Sequence, residues 1–410
     1  MGRRHQEEQH QTRLIAPLLL AIRTPRQTMA TIESVSVCIA RVPLDHPVTF
    51  STRRVTAREY CLVRIRTTDG QEGLGYCYAV NSAGRLLAVA VTDLLAPKLV
   101  GQESLRVEGL WAELYQDALL LGRAGGVMRA LSAIDIALWD LNARSANLPL
   151  YQYLGANKTD RVPAYASGGY YLPGKTPEKL AQEMAQHVKE GFRAVKMKVG
   201  LESVAGERKR LAAVREAIGE DVRLMLDANN AWRDLPTALE YVRCFEPFNP
   251  FWIEEPFSPD DIDNHARLAR ATTVTVATGE IEAGRWRFKD LMERGASTLL
   301  QTDATVCGGI TEFRRIAATA DSFGITVAPH AWHDVHVHLV AATPNATYVE
   351  WMPDDHIVNF RRVIDRQLVA DNGDLLVPQL PGLGFRFDDA AVERYGVVYP
   401  GSDGRWQTVR

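Results

Sequence analysis

Residues 223–254 begin with Arg223-Leu224-Met225-Leu226-Asp227 and end with Phe251-Trp252-Ile253-Glu254. Each run is short, apolar and closed by an acid, and the chain between them has helical spacing around residues 238–245. A strand, a helix and a second such strand form the unit of a parallel α/β fold. Outward from this stretch the unit repeats. Upstream lie strand patterns at 163–167 and 194–198. The helix between them opens on Thr176-Pro177-Glu178, sets Leu180, Met184 and Val188 on one face, and stops at Gly191. Downstream, strand patterns at 274–278, 298–302, 325–328 and 347–350 alternate with helical ones. Eight strands joined by right-handed crossovers close most naturally into a (β/α)8 TIM-type barrel, here spanning 156–358.

The chain on either side of the barrel has a different rhythm. Residues 29–155 carry strand patterns up to about Gly75, then helical periodicity from about Glu103, strongest where Ile134, Ala137, Leu138 and Leu141 share a face. This is an α+β domain. Residues 359–410 supply no further β/α unit and are expected to pack back on that domain. Residues 1–28 are polar apart from an apolar run at 14–22, which is too short to cross a bilayer. They are read as a disordered tail or a misassigned start in preference to a secretory signal.

Composition narrows the function. A formal net charge of −3, with no basic run beyond the first residues, gives no reason to expect nucleic acid as a partner. Nothing points to a membrane. Five scattered cysteines, Cys38, Cys61, Cys77, Cys244 and Cys307, suit a reducing cytoplasm better than a disulfide framework. Phosphate-cradling glycine loops and a serine nucleophile elbow are absent from the sequence.

Barrel enzymes carry their reactive groups at the C-terminal ends of the strands. Here those ends read Lys196 and Lys198, Asp227 with Asn229, Glu254 with Glu255, Glu280, Asp303, His330 and Glu350. Asp227, Glu254 and Glu280 fall about one β/α unit apart, so they converge from adjacent strands. Any one of them could serve as a surface ion pair or a helix cap, but three converging carboxylates would raise one another's pKa unless a cation intervened. Oxygen-only ligands point to Mg²⁺, with Mn²⁺ as a substitute. Lys196 and Lys198 share a strand face, and a lysine beside a cationic site can have a depressed pKa and act as a base. His330 falls one unit after Asp303, which can orient and charge its imidazole. The run of histidines from His330 to His338 lacks zinc spacing, and His336 and His338 read as packing or hydrogen-bonding residues.

With these residues in hand, the chain resembles the enolase superfamily, in its mandelate racemase branch, which also contains acid-sugar dehydratases. The resemblance rests on residues 133–140, Lys196-Met197-Lys198, Leu226-Asp227-Ala228-Asn229, Trp252-Ile253-Glu254-Glu255-Pro256, Thr278-Gly279-Glu280, Asp303 with Gly308-Gly309, His330, Glu350 and Pro381-Gly382-Leu383-Gly384. It implies a modified barrel under an N-terminal capping domain completed by the C-terminal segment, and a homo-oligomer. It implies Mg²⁺ on Asp227, Glu254 and Glu280, Lys198 as base with Lys196 supporting it, and His330 with Asp303 as base or acid on the other face of the substrate. Glu350 is implied to hydrogen-bond the substrate carboxylate as a protonated donor, and Asn229 and Ser167 to touch substrate. Asp135 and Asp140 read as structural.

The expected reaction is removal of the proton beside a carboxylate, followed by loss of a β-hydroxyl. An aldonate or aldarate would thereby become a 2-keto-3-deoxy acid. Two alternatives stand beside it: racemase or epimerase activity on a 2-hydroxy acid, and a non-catalytic binding barrel. Specificity is expected in loops near 42–53 and 77–84, which hold His46, Thr49, Ser51, Arg53, Tyr78, Asn81 and Ser82, with Arg54 just beyond the first.

Overall fold

The computed structural model describes residues 30–158, 160–353, 356–399 and 404–410. The expectations for residues 1–28 lie outside them. The chain opens with three antiparallel strands, β1 (Ile32–Thr49), β2 (Arg54–Thr67) and β3 (Glu72–Tyr78). The helix Gly126–Ser145 lies against this sheet so closely that Gly73 and Gly75 of β3 have no room for a Cβ: one built there would fall 2.2 and 2.0 Å from the Ala137 and Ala133 carbonyl oxygens.

Eight parallel strands follow: β4 (Arg161–Ser167), β5 (Ala194–Lys198), β6 (Arg223–Asp227), β7 (Pro250–Glu254), β8 (Thr275–Thr278), β9 (Leu299–Leu300), β10 (Thr326–Val327) and β11 (Val349–Trp351). They pair in sequence order. β11 returns to β4, and a bridge from Val327 to Ala346 closes the circuit, so the chain forms a TIM-type barrel. Every residue of β5 is buried, as befits a strand covered on both faces. The intervening helices carry the caps their sequences announce. Thr176, Ser203, Asp234 and Asp261 each accept a backbone N–H with the side chain, which satisfies donors the first helical turn leaves free.

The C-terminal segment splits its attachments. β12 (Ala370–Asp371) and β13 (Asp374–Leu376) form a hairpin whose second strand pairs antiparallel with the start of β4, so this part packs on the barrel. β14 (Gln407–Val409) instead joins the N-terminal sheet beside β1. The expectation that the whole segment packs on the first domain therefore misses the hairpin.

Buried acids fasten the cap to the barrel and to the C-terminal segment. Asp135 accepts from the Thr311 N–H (2.9 Å) and hydroxyl (2.6 Å) on a barrel helix. Asp140 accepts from the backbone N–H of Leu74 (2.7 Å) and Leu383 (2.6 Å) and from Arg144 Nε (2.6 Å). Gly382 has φ +70°, and a Cβ there would fall 2.1 Å from Asp140 Oδ1. The glycine permits the approach. Among the described residues no helix is long and apolar enough to cross a membrane.

Candidate active site

The C-terminal tips of β5 to β11 face the capping domain across a cavity of about 380 Å³. The barrel contributes Lys198, Asn229, Glu280, Asp303 and His330 to its wall, and the cap contributes Phe50, Arg58, Tyr78 and Asn81 among others. The two halves are tied together at the rim. Ser51 donates to the Ala228 carbonyl and Thr52 to that of Asn229 (3.0 Å), which locks the end of β1 over the tip of β6.

Non-glycine residues in the left-handed region cluster where the strands end. Asn229 (φ +45°), Asn230 (+63°), Glu255 (+43°), Ala331 (+47°) and Trp332 (+32°) all follow site-bearing strands. Such conformations cost energy and persist where the surroundings impose them, commonly at functional sites.

Asp227, Glu254 and Glu280 each present an oxygen within 4.8 Å of the others. Among the described residues this is the one group of three or more His, Cys, Asp or Glu so arranged. Burial, and then the neighbouring Asp227, push the Glu254 carboxyl up to about 8. That is the like-charge conflict expected of acids gathered for a cation, and the donors are all hard oxygens, so the cluster fits a divalent ion.

The lysines stand among these acids. Lys196, 1% exposed, bonds both oxygens of Glu254 (2.7 and 2.8 Å) and pairs with Glu350 at 2.8 Å. Lys198 bonds Asp227, with the rings of Tyr170 and Phe50 at 5.1 and 5.6 Å. Burial works to lower both ammonium groups. Glu254 and Glu350 around Lys196, and Asp227 beside Lys198, overcome it and hold both above the ordinary lysine range. The depressed lysine of the sequence reading belongs to a site that holds a cation, and these carboxylates act on the lysines without one.

His330 Nδ1 donates to Asp303 (3.0 Å), and its Nε2 lies 3.6 Å from Glu280. Burial opposes charging of the ring, but Glu280 and the Asp303 hydrogen bond raise it to about 9. The other oxygen of Asp303 is held by the Thr305 N–H (2.7 Å) and hydroxyl (2.8 Å), so the carboxylate cannot swing. His336 spends both ring nitrogens on backbone, donating to Ala331 O (2.8 Å) and accepting from Ala304 N–H (3.0 Å). It holds no metal.

Two expectations change. Glu350 is buried below the cavity wall, accepts the Ala331 N–H (2.8 Å) and faces Lys196; burial works to raise its pKa, and Lys196 then drives it well below the carboxylate range. Lys196 and the Ala331 N–H both favour its ionised, accepting form, whereas the sequence reading has it as a protonated donor. Ser167, at the tip of β4, is off the wall, with a buried hydroxyl that bonds nothing. Its place is taken by Tyr170, which the chain presents after Gly168 and Gly169. Of the two specificity segments, much of 42–53 is β1 strand. His46, Thr49, Ser51 and Ser82 stay off the wall, whereas Arg53, Arg54, Tyr78 and Asn81 reach it. Arg58 and Arg129 also line it, and the sequence reading did not single them out.

Residues 32–155 match the family model for the mandelate racemase/muconate lactonizing enzyme N-terminal domain, and residues 179–391 match that for the enolase C-terminal domain-like family. The chain belongs to the enolase superfamily. Within the superfamily it is 35% identical over 344 residues to an arabinonate dehydratase of Saccharolobus solfataricus, covering 82% of this chain and 90% of the relative. It is 34% identical to a 3,6-anhydro-alpha-L-galactonate cycloisomerase of Streptomyces coelicolor, over 89% of this chain and 99% of that protein. The structure resembles that of L-talarate/galactarate dehydratase from Salmonella typhimurium liganded with Mg and L-lyxarohydroxamate, with a TM-score of 0.85, 32% identity, and coverage of 94% of this chain and 96% of that one.

Proposed function

We propose that this enolase-superfamily member is a Mg²⁺-dependent hydro-lyase that converts a sugar-derived acid, an aldonate or aldarate, to its 2-keto-3-deoxy product. One observation carries the reading. The strands bearing Lys198 and His330 flank the strands bearing Asp227, Glu254 and Glu280, and both bases open into one cavity.

Mg²⁺ held by Asp227, Glu254 and Glu280 would supply positive charge that stabilises the enolate as it forms and would draw off the carboxylate charge that keeps Lys198 protonated. Lys198 then takes the proton from the carbon beside the substrate carboxylate. Lys196, gripped by Glu254 and Glu350, holds a fixed ammonium under that end of the cavity, where charge develops. Glu350 fixes Lys196 and the Ala331 backbone and so shapes the turn that carries His330. His330, kept charged by Asp303, gives its proton to the departing β-hydroxyl, and the enol left behind takes a proton at the β-carbon to become the 2-keto acid. Asn229, with a buried and unbonded Oδ1 on the wall, is placed to read a substrate hydroxyl.

The arabinonate and talarate/galactarate dehydratases among its relatives support dehydration over racemisation. The cycloisomerase supports a second reading, in which a ring oxygen takes the place of the leaving hydroxyl and the ring opens with no loss of water. A panel of aldonates, aldarates and their lactones, incubated with Mg²⁺ and again with chelator, separates these readings by mass spectrometry. Dehydration removes one water, ring opening conserves mass, and inversion of the starting acid with no keto acid would overturn the proposal.

A further inference from the structure

The cavity is electrically two-sided. Its barrel wall carries the acids Glu280 and Asp303 beside Lys198 and His330, whereas its capping wall carries Arg53, Arg54, Arg58 and Arg129 and no carboxylate. Arg53 reaches Asn230 (3.3 Å), and Arg129 donates to the Tyr78 carbonyl (3.1 Å). Arg58 is the unusual member. It lies in the middle of β2, is 5% exposed, and donates from Nε to the Ile357 carbonyl, with its guanidinium 5.2 Å from the centre of the Tyr78 ring. Among the described residues, no acid forms an ion pair with Arg54, Arg58 or Arg129.

A buried guanidinium without a counter-ion is costly, and it becomes favourable where an anion arrives to pair with it. Its planar fork suits a carboxylate, which two N–H groups can hold together. On the function proposed above, the reacting carboxylate is already spoken for at the acid-and-lysine side of the cavity. The cap therefore offers cationic donors to a second, separate anion.

We infer that the substrate bears a second carboxylate at the far end of its carbon chain and that Arg58 and Arg129 receive it, so that the enzyme acts on sugar diacids in preference to monoacids. The inference rests on the dehydratase reading and narrows it from all sugar acids to aldarates. It gives the cap the task of measuring chain length, since both ends of the substrate must meet their partners at once.

The test compares matched acids of one configuration: an aldarate, the aldonate with a terminal hydroxymethyl group, and that aldonate phosphorylated at its terminus. Two charge-assisted hydrogen bonds lead us to expect kcat/KM roughly 100-fold higher for the aldarate in the unaltered enzyme. In Arg129→Gln, which changes a half-buried side chain, KM for the aldarate should rise about 10-fold and the aldarate-to-aldonate ratio should fall by the same factor. Arg58→Lys, which keeps the charge and loses the fork, should lower the ratio as well. Equal or better turnover of the aldonate, a preference for the phosphorylated acid, or a ratio unchanged in Arg129→Gln would overturn the inference and leave the dehydratase reading standing. If no acid of the panel loses its α-proton, both fall.

Discussion

Two sets of buried acids show how this molecule separates holding from reacting. Asp135 ties the cap to the barrel and Asp140 ties it to the C-terminal segment, with their oxygens met by backbone N–H, a hydroxyl or an arginine. Asp227, Glu254 and Glu280 sit at strand tips, face one another and two lysines, and take one backbone hydrogen bond among them, from Asn229 to Asp227 (2.9 Å). The first set is satisfied by the fold. The second is arranged against its own repulsion, which makes sense for groups meant to hold a cation. Burial alone does not distinguish the two, but the identity of the hydrogen-bond donors does.

The comparison breaks most visibly in the reacting set. Glu280→Gln should lower kcat by about 1,000-fold or more while leaving chelator-treated protein at least as stable, because its like-charge contact with Glu254 is relieved. Parallel kinetics and thermal melts check this; a large loss of stability would place this acid with Asp140. His330→Asn should cost about 100-fold to 10,000-fold in kcat, the range of general acid–base catalysis, with the melting temperature near that of the parent.

The holding set should respond the other way. Asp140→Ala leaves Arg144 and two backbone donors without an acceptor and should cost about 3 kcal/mol or more by denaturant unfolding, while kcat per folded molecule stays close to the parent value. The smallest effect belongs to Asp135. Burial raises its carboxyl from 3.8 to about 7. The folded chain therefore keeps a proton that the unfolded chain releases. Its contribution to stability is full below 3.8, declines as pH rises through that window, and is flat above about 7. Asp135→Asn mimics the protonated form, so it should flatten that decline and stabilise the protein at pH 8 by on the order of 1 kcal/mol. Unfolding curves at several pH values report it.

What could be read from the sequence follows the same division. The barrel was legible because its strands are short apolar runs followed closely by polar or ionisable side chains, and spacing alone aligned Asp227, Glu254 and Glu280. Arg58 was hidden because a polar residue within an alternating strand reads as solvent-facing, and only the closure of cap over barrel buries it. The ionised state of Glu350 depends on Lys196 at 2.8 Å, a contact between distant strands that no spacing reveals. Ser167 ends its strand with a buried, unbonded hydroxyl, and the turn at Gly168 and Gly169 carries Tyr170 to the cavity wall, a reach that strand spacing does not reveal. The helical stretch from Gly84–Val89 through Ala96–Leu99 was missed, although Leu87, Val91, Leu95 and Leu99 recur at four-residue steps and are all buried. Pro97 in that run weakens a helical reading.

The most direct test follows the substrate's hydrogens. Sugar acids incubated with the enzyme and Mg²⁺ in D₂O should yield a 2-keto-3-deoxy acid carrying one deuterium at the former β-carbon, by proton NMR, and chelator should stop it. Deuterium appearing beside the carboxylate of recovered, inverted starting acid, with no keto acid formed, would contradict a dehydrating pair of Lys198 and His330.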